Sequence, residues 1–539
     1  MEALSGLSVC DVLRKSAASV PTKTAVVDGD RRISYRELDE MTDALAAGLA
    51  ELGYQKGDRV AIYMKNSLEL VVAFYALQKL GAWAIWINAI YRKNEARFVL
   101  ENARAKGVFI FSESHGHSYL DDMLDVQGGL PHLKNIIAVG QGRGAGVCDF
   151  DHLIASGSGK TYSPCTIDPA EDIAMFLYTS GTTGTPKGAM ICHHAAVRGG
   201  YEYSRGVNAG ADDVFIGFLS MSHSYGCGAI LIQPILLQAT VVLMENFEVE
   251  KAFQLIERER VTLQLAAPAH YILELNHPSR GKYDLSSVRA GMIAGQIAPA
   301  GLISRVEKEM GIYLTSFWGA SEVGPGLGIM CPHPSPLDIR ESYVGLPVKD
   351  TRVRIVDPVS HEEVDDGVTG ELTLSGWHMM KGYWERPEET RKQIIGGWLH
   401  MGDLAARDAN GYIRIFGRTK DLINRGGYKI TPFEVESLLV EHPAIEQVCI
   451  VATPNPVLGE STCACVIPRE GQSLTLGEIR DFMKGKIATH KLPDELCVMD
   501  DFPRLSGGVK IKKFGEGGLA ELAKNDERRE KVRRQSNGS

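Results

Sequence analysis

The feature that most constrains this chain is a regular alternation of short β-branched runs with helical patterns over about its first four hundred residues. RVAIYM at residues 59–64 is followed by the helical stretch SLELVVAFYALQKLG and then by AWAIWIN. A parallel strand pair needs a long crossover, so this alternation predicts parallel sheets covered by helices. The unit recurs at VTLQLAA (261–267), VRAGMIAG (288–295) and IYLTSFWG (312–319), each ending in small or polar residues. Ligands of open α/β sheets gather at the carboxyl ends of strands, so chemistry is expected at those ends.

At 539 residues the chain exceeds one ordinary core. From about Val344 the pattern turns to hairpins, RVRIVDPVSHEEVDDGVTGELTLSG and LAARDANGYIRIFG, and the Asn410-Gly411 pair predicts a two-residue hairpin. Past Arg418 a small α+β unit is expected, with helix PFEVESLLVEH, strands VCIVATP and TCACVIP, and helix LGEIRDFMKGKIATH. The fold class is therefore α/β. A large domain of stacked, mostly parallel sheets with helices and an antiparallel β subdomain covers residues 1–418, a small α+β domain covers 423–523, and 524–539 reads as a disordered, solvated tail.

A net charge of −9 gives no global basic field, which argues against nucleic acid as a partner. The ten cysteines are scattered, and Cys463 and Cys465 alternate along a strand without a second pair for zinc, so reduced thiols and a cytoplasmic setting are expected. The opening MEALSGLSVCDVL has neither a basic region nor a long apolar one, so no secretory leader is expected. The apolar stretch 226–244 holds Gln233, Pro234 and Gln238, which predicts a buried helix followed by a strand and no membrane span.

YTSGTTGTPKG at residues 178–188 follows the apolar strand AMFLY and precedes a helix-like stretch. Its glycines let backbone N–H groups approach an anion, its hydroxyls donate further bonds, and Lys187 adds compact positive charge, so a phosphate cradle is expected. The spacing is not that of the common GxxxxGK[ST] loop.

Together with FWGASE (317–322), GELTLSGWHMMKGYW (370–384), GWLHMGDLA (397–405) and GRTKDLINRGGYKI (417–430), this ordered series resembles the adenylate-forming superfamily of acyl-CoA synthetases, peptide-synthetase adenylation domains and luciferases. The resemblance spans nearly the whole chain. It implies an AMP-forming acid–thiol ligase that turns a carboxylate and ATP into acyl-AMP and pyrophosphate, then passes the acyl group to coenzyme A. ATP, Mg2+ and coenzyme A are the implied cofactors. The implied partners are a small carboxylic acid, medium-chain, alicyclic or aromatic, and coenzyme A; a homodimer is compatible with the sequence.

The resemblance also assigns residues. Thr179, Ser180, Gly181, Thr182, Thr183, Gly184 and Lys187 match the loop over the phosphates, and Glu322 with Thr179 matches the magnesium ligands. Gly295, Gln296, Ile297, Trp318, Gly319, Ala320 and Ser321 match the adenine-binding segments, with Trp318 where relatives carry tyrosine. Asp403 matches the ribose carboxylate, and Ile415 and Arg418 complete the ATP set. His223 matches the gate of the carboxylate pocket, lined by Tyr225, Gly226, Ala294, Gly295, Gly319 and Gly324, with His193 and His270 nearby. Lys420 falls at a hinge, 419–422, about which the small domain moves, and Gly426 and Gly427 match the loop beside the pantetheine thiol. The catalytic lysine is Lys510, in PRLSGGVK at 503–510, whose spacing departs by one residue so that Lys512 and Lys513 compete. Two other readings stay open: a standalone ligase loading a carrier protein, and a nucleotide-binding homologue without catalysis.

Overall fold

The computed structural model describes residues 4, 6–142, 144–179, 186–426, 428–504, 511–526 and 530–531. Contact density divides the chain into two compact units, Met1–Val353 with Leu374–Leu399, and Arg354–Thr373 with His400–Ser539.

The first unit is built on two sheets. The larger has nine strands, and its centre is parallel: Tyr313–Trp318, Ala290–Ile293, Leu263–Ala266, Val214–Gly217, Thr240–Leu243 and Thr24–Asp28 lie side by side in that order. Short antiparallel strands close its edges. The second sheet has seven strands. Lys187–Cys192 is antiparallel to Ile173–Thr179, and the parallel strands Trp83–Trp86, Arg59–Tyr63, Gly107–Phe111, Asn135–Val139 and Val147–Asp149 follow in order. The expected alternation is present.

Both sheets are covered by helices. Leu68–Leu80 is capped by the Ser67 hydroxyl at its start and stopped by Gly81 in the left-handed region, and it is buried almost all round, as a helix between two layers should be. The stretch 226–244 is a buried helical segment to Leu236 followed by the buried strand Thr240–Leu243, as its polar residues predicted. Among the described residues no helix is long and apolar enough to cross a membrane.

The second unit carries the antiparallel ladder in which Asp403 faces Arg418 and Arg407 faces Ile413. The Asn410-Gly411 turn differs from expectation. Asp408 N–H donates to Tyr412 O at 2.9 Å and Gly411 N–H returns to Asp408 O at 2.9 Å, enclosing three residues. The Asp408 carboxylate selects this longer turn by accepting from the N–H groups of Asn410 and Tyr412 at 3.0 and 2.8 Å. Beyond it lie the helix Pro432–Leu439, the hairpin of Ile445–Asn455 with Gly459–Pro468, and the helix Leu476–Met483. That last helix is shorter than its sequence pattern suggested, because Gly485 takes φ +77° just beyond it.

Candidate active site

The site in the first unit assembles at the carboxyl ends of neighbouring parallel strands. Trp318–Glu322 continues from Tyr313–Trp318, and Ala294–Ile297 continues from the adjacent strand Ala290–Ile293. His223 begins the short helix Ser224–Gly226, which comes shortly after Val214–Gly217, another parallel strand of the same sheet. The Tyr225 hydroxyl ties this helix to the central strand by donating to Met292 O at 2.9 Å. Tyr225 itself is buried in an aromatic cluster, stacked 5.7 Å from Tyr203 and edge-on 4.7 Å from Phe317.

Close backbone approach explains several glycines. A Cβ on Gly319 would lie 1.6 Å from Gly326 O, so the turn after Trp318 accepts no side chain. The space at Gly226 is filled by Ser220 O at 2.1 Å and at Gly324 by Ile191 at 2.5 Å. Their small size permits close packing between elements. Gly295 differs: it has open space but φ +86°, a conformation that L side chains resist.

Gln296 and Ile297 are exposed after this turn, Ala294 is buried, and Ala320 and Ser321 are half-buried. His223 is exposed, and its Nδ1 accepts from Tyr225 N–H at 3.4 Å as a helix cap. His193 and His270 each hold a backbone N–H. Burial pushes each imidazole down to about 4. His193 Nδ1 accepts from Val9 N–H at 3.2 Å, and His270 Nδ1 accepts from Ala267 N–H at 3.0 Å.

The phosphate-loop motif runs between two antiparallel strands, Ile173–Thr179 and Lys187–Cys192. Thr179 pairs with Lys187 at its base, and the strand Lys187–Cys192, not a helix, follows it. A run of only six residues, KGAMIC, is too short to tell strand from helix by its pattern, which explains the difference. Ser180, Gly181, Thr182, Thr183 and Gly184 lie outside the described residues.

The same strand bonds to the segment 381–384: Lys381 N–H donates to Met190 O at 2.8 Å, and Trp384 N–H to Gly188 O at 2.9 Å. This places Lys187 Nζ 5.2 Å from the centroid of the Tyr383 ring. The Tyr383 hydroxyl in turn donates to Glu322 Oε1 at 2.7 Å, and burial together with that carboxylate raises the phenol far above its ordinary range. Tyr383 lies in the motif 370–384, where no local pattern marks it for this contact.

In the second unit Asp403 is buried, and Arg418 Nε lies 3.2 Å from its Oδ1. Ile415 is buried opposite Ala405 on the same ladder. Thr419, the first residue of the expected hinge segment, donates its hydroxyl to Gly402 O at 2.7 Å. Lys420 is exposed on a 3-10 turn, Thr419–Asp421, and Gly426 takes φ +59°. Gly427 and Lys510 lie outside the described residues. Of the competing lysines, Lys512 Nζ donates to Glu516 O and Lys513 Nζ pairs with Glu436 at 3.1 Å.

Parallel sheets with nucleotide-type motifs at their strand ends define a nucleotide-using α/β enzyme. The profile described as AMP-binding enzyme matches residues 13–384, and that of the AMP-binding enzyme C-terminal domain matches 434–508. The chain belongs to the AMP-binding enzyme family, the adenylate-forming superfamily that its motifs resemble, and is an enzyme. It is 32% identical over 528 residues to the putative acyl-CoA synthetase YngI of Bacillus subtilis, covering 93% of this chain and 95% of that one. It is 31% identical over 512 residues to the medium-chain fatty-acid–CoA ligase of Escherichia coli, covering 94% and 89%. The crystal structure of the anthranilate CoA ligase AuaEII with anthranoyl-AMP superposes with a TM-score of 0.85 at 26% identity, covering 94% and 96%.

Proposed function

We propose that the enzyme is an AMP-forming carboxylate–CoA ligase. In the first half-reaction a carboxylate oxygen attacks the α-phosphorus of ATP, the α–β anhydride bond breaks, and pyrophosphate leaves. In the second, the sulfur of coenzyme A attacks the acyl carbonyl carbon, a thioester forms, and AMP leaves with the bonding electrons. The observation that carries this reading is the Lys187–Tyr383–Glu322 cluster at the base of the Ser/Thr/Gly hairpin. It sets a cation over the ring and a carboxylate on the hydroxyl of one tyrosine, and a polyphosphate and its counter-ion require both kinds of charge.

The difficulty of the first step is bringing an anion to a polyanion, so charge neutralisation is the main task. In this reading Lys187 and Lys510 supply positive charge, Thr179 and the loop to Gly184 donate to the phosphates, and Trp318 with Gly295–Ile297 holds adenine. The two oxygens of Asp403 accept the ribose hydroxyls, and Arg418 is the cation beside it. Glu322 fits magnesium, being a half-buried carboxylate whose Oε1 is fixed by Tyr383. Bound there with Thr179, the ion supplies neutralisation of phosphate charge. His223 gates the carboxylate, Lys420 is the hinge, and Gly426 with Gly427 flanks the thiol.

The acyl donor proposed is a medium-chain, alicyclic or aromatic acid, in keeping with the printed names of the relatives. The test is AMP and pyrophosphate release from MgATP over a panel of such acids, with and without coenzyme A. AMP release requiring both acid and coenzyme A supports the ligase. Pyrophosphate exchange without thioester replaces coenzyme A by a carrier protein, and silence across the panel makes the chain a non-catalytic homologue.

A further inference from the structure

Two histidines and a carboxylate, none of them given a role above, converge in the second unit. His361, Glu371 and His400 each offer one ligand atom, and these atoms lie within 4.8 Å of one another. Glu371 stands near the start of the strand Gly370–Gly376 and His400 near the start of Trp398–Arg407, and both are buried. The Glu371 carboxylate is held at both oxygens. Gly402 N–H donates to Oε1 at 3.0 Å, and Oε2 faces His400 Nδ1 at 3.1 Å.

His361 arrives on a turn that the chain fixes closely. Asp357 N–H donates to Glu362 O at 2.8 Å, His361 N–H donates to Asp357 O at 2.9 Å, and the Asp357 carboxylate accepts from Val359 and Ser360 N–H. His361 sits at φ +60°, in the left-handed region that few residues other than glycine adopt. Its ring stands edge-on to that of His400, with centroids 5.0 Å apart at 89°. A buried Glu371–His400 pair alone would account for two of these residues. It leaves the third, a histidine held in a strained conformation against them, without a task.

We propose that His361, Glu371 and His400 form a binding site for a divalent transition-metal ion of the zinc class. Two imidazole nitrogens and one carboxylate suit zinc, whereas magnesium favours an octahedral shell of oxygens. With metal–ligand bonds of about 2.0–2.1 Å, a tetrahedral ion separates neighbouring donors by about 3.3 Å. The 3.1 Å between Glu371 Oε2 and His400 Nδ1 is already within a few tenths of an ångström of that edge. Exposure of His361 gives the ion an entry path and leaves a fourth position to water. The Gly402 N–H bond aims the carboxylate, as outer-shell partners do at metal sites. An ion held there fastens the 357–362 turn to two buried strand residues and stabilises the folded chain by mass action.

The test uses the full chain, stripped with chelator and dialysed against micromolar zinc in excess magnesium. Bound zinc is counted by atomic emission, and the unfolding temperature is read with and without it. His361→Asn removes the imidazole while keeping a residue that tolerates the left-handed conformation; Glu371→Gln keeps the Gly402 bond and removes the charge. The expected result is one zinc per chain, resistant to magnesium, with a raised Tm, and an affinity weakened by roughly tenfold or more in each variant. The chain has ten cysteines, so cobalt is substituted as well, and its spectrum should lack a thiolate charge-transfer band. Failure to retain zinc, equal retention by wild type and His361→Asn, or a thiolate band from the bound cobalt would each overturn the proposal.

Discussion

The Tyr383 hydroxyl donates to Glu322 Oε1 at 2.7 Å, joining residues 61 positions apart and fixing the carboxylate proposed to hold magnesium. Tyr383→Phe keeps the buried ring and deletes only this bond. A hydrogen bond to a charged group contributes about 1.5–3 kcal/mol, so adenylation should slow roughly ten- to a hundredfold, with half-saturation shifted to higher magnesium. Unchanged rate and magnesium dependence in steady-state assays would separate Glu322 from the metal.

Glu274 is fully buried, with Gln264 Nε2 2.8 and 2.7 Å from its two oxygens, and burial pushes its carboxyl up to about 8. A carboxyl whose folded value is raised holds its proton while the unfolded chain releases it. Its contribution is therefore fully present below about pH 4.5 and is lost as pH rises to 8. Glu274→Gln removes that titration, and its new amide can donate to Gln264 Oε1, a buried acceptor with no partner among the described residues. Urea unfolding should show the wild type losing a few kcal/mol more than the variant between pH 5 and pH 8, of order 1.4 kcal/mol per pH unit. Parallel curves would refute the assignment.

His193 carries the opposite sign. Its folded value is pushed down to about 4, so its contribution is present above the unfolded value near 6.5 and is lost as pH falls toward 4. His193→Gln keeps an acceptor for Val9 N–H and abolishes the slope. Between pH 6.5 and 5 the wild type should lose about 2 kcal/mol that the variant keeps, read from denaturation midpoints.

The ends of the strands that carry the candidate site were legible in the sequence because their signal is local. Small or polar residues directly after an apolar run announce the end of a strand, and 290–297 and 313–322 obey that rule. The second strand of the phosphate hairpin was not legible, since Lys187–Cys192 is short and precedes a helix. Tyr383 was hidden for another reason: its partner is fixed by how Lys187–Cys192 pairs with 381–384, and no local pattern encodes that register. The bond of His193 to Val9 was not legible either, because a histidine's sequence context says nothing of a contact 184 residues away.

Two glycines separate packing from function. Gly319→Ala drives a methyl to 1.6 Å from Gly326 O, so it should destabilise strongly and yield little folded enzyme. Gly295→Ala meets no atom within 4 Å and is opposed only by φ +86°, a cost of about 1–3 kcal/mol. Folded Gly295→Ala with a raised KM for ATP would support the adenine assignment. An unchanged KM in a folded protein would exclude it.

The lysine assignment is decided by three variants read for both activity and stability. Lys513 pairs with Glu436 at 3.1 Å, and that carboxylate leads the partners raising its ammonium above the ordinary lysine range against the opposing effect of burial. Lys513→Ala strands Glu436, so activity should fall only in step with the folded fraction. Lys512 is tied to Glu516 O on the surface, and Lys512→Ala should change both readouts little. Lys510→Ala should leave the unfolding midpoint in place while adenylation falls by roughly a hundredfold or more, the scale of losing one preorganised group at the reacting charge. If Lys512→Ala is the variant that silences a stable enzyme, the 503–510 segment departs by three residues and not by one, and the charge at the α-phosphate comes from Lys512.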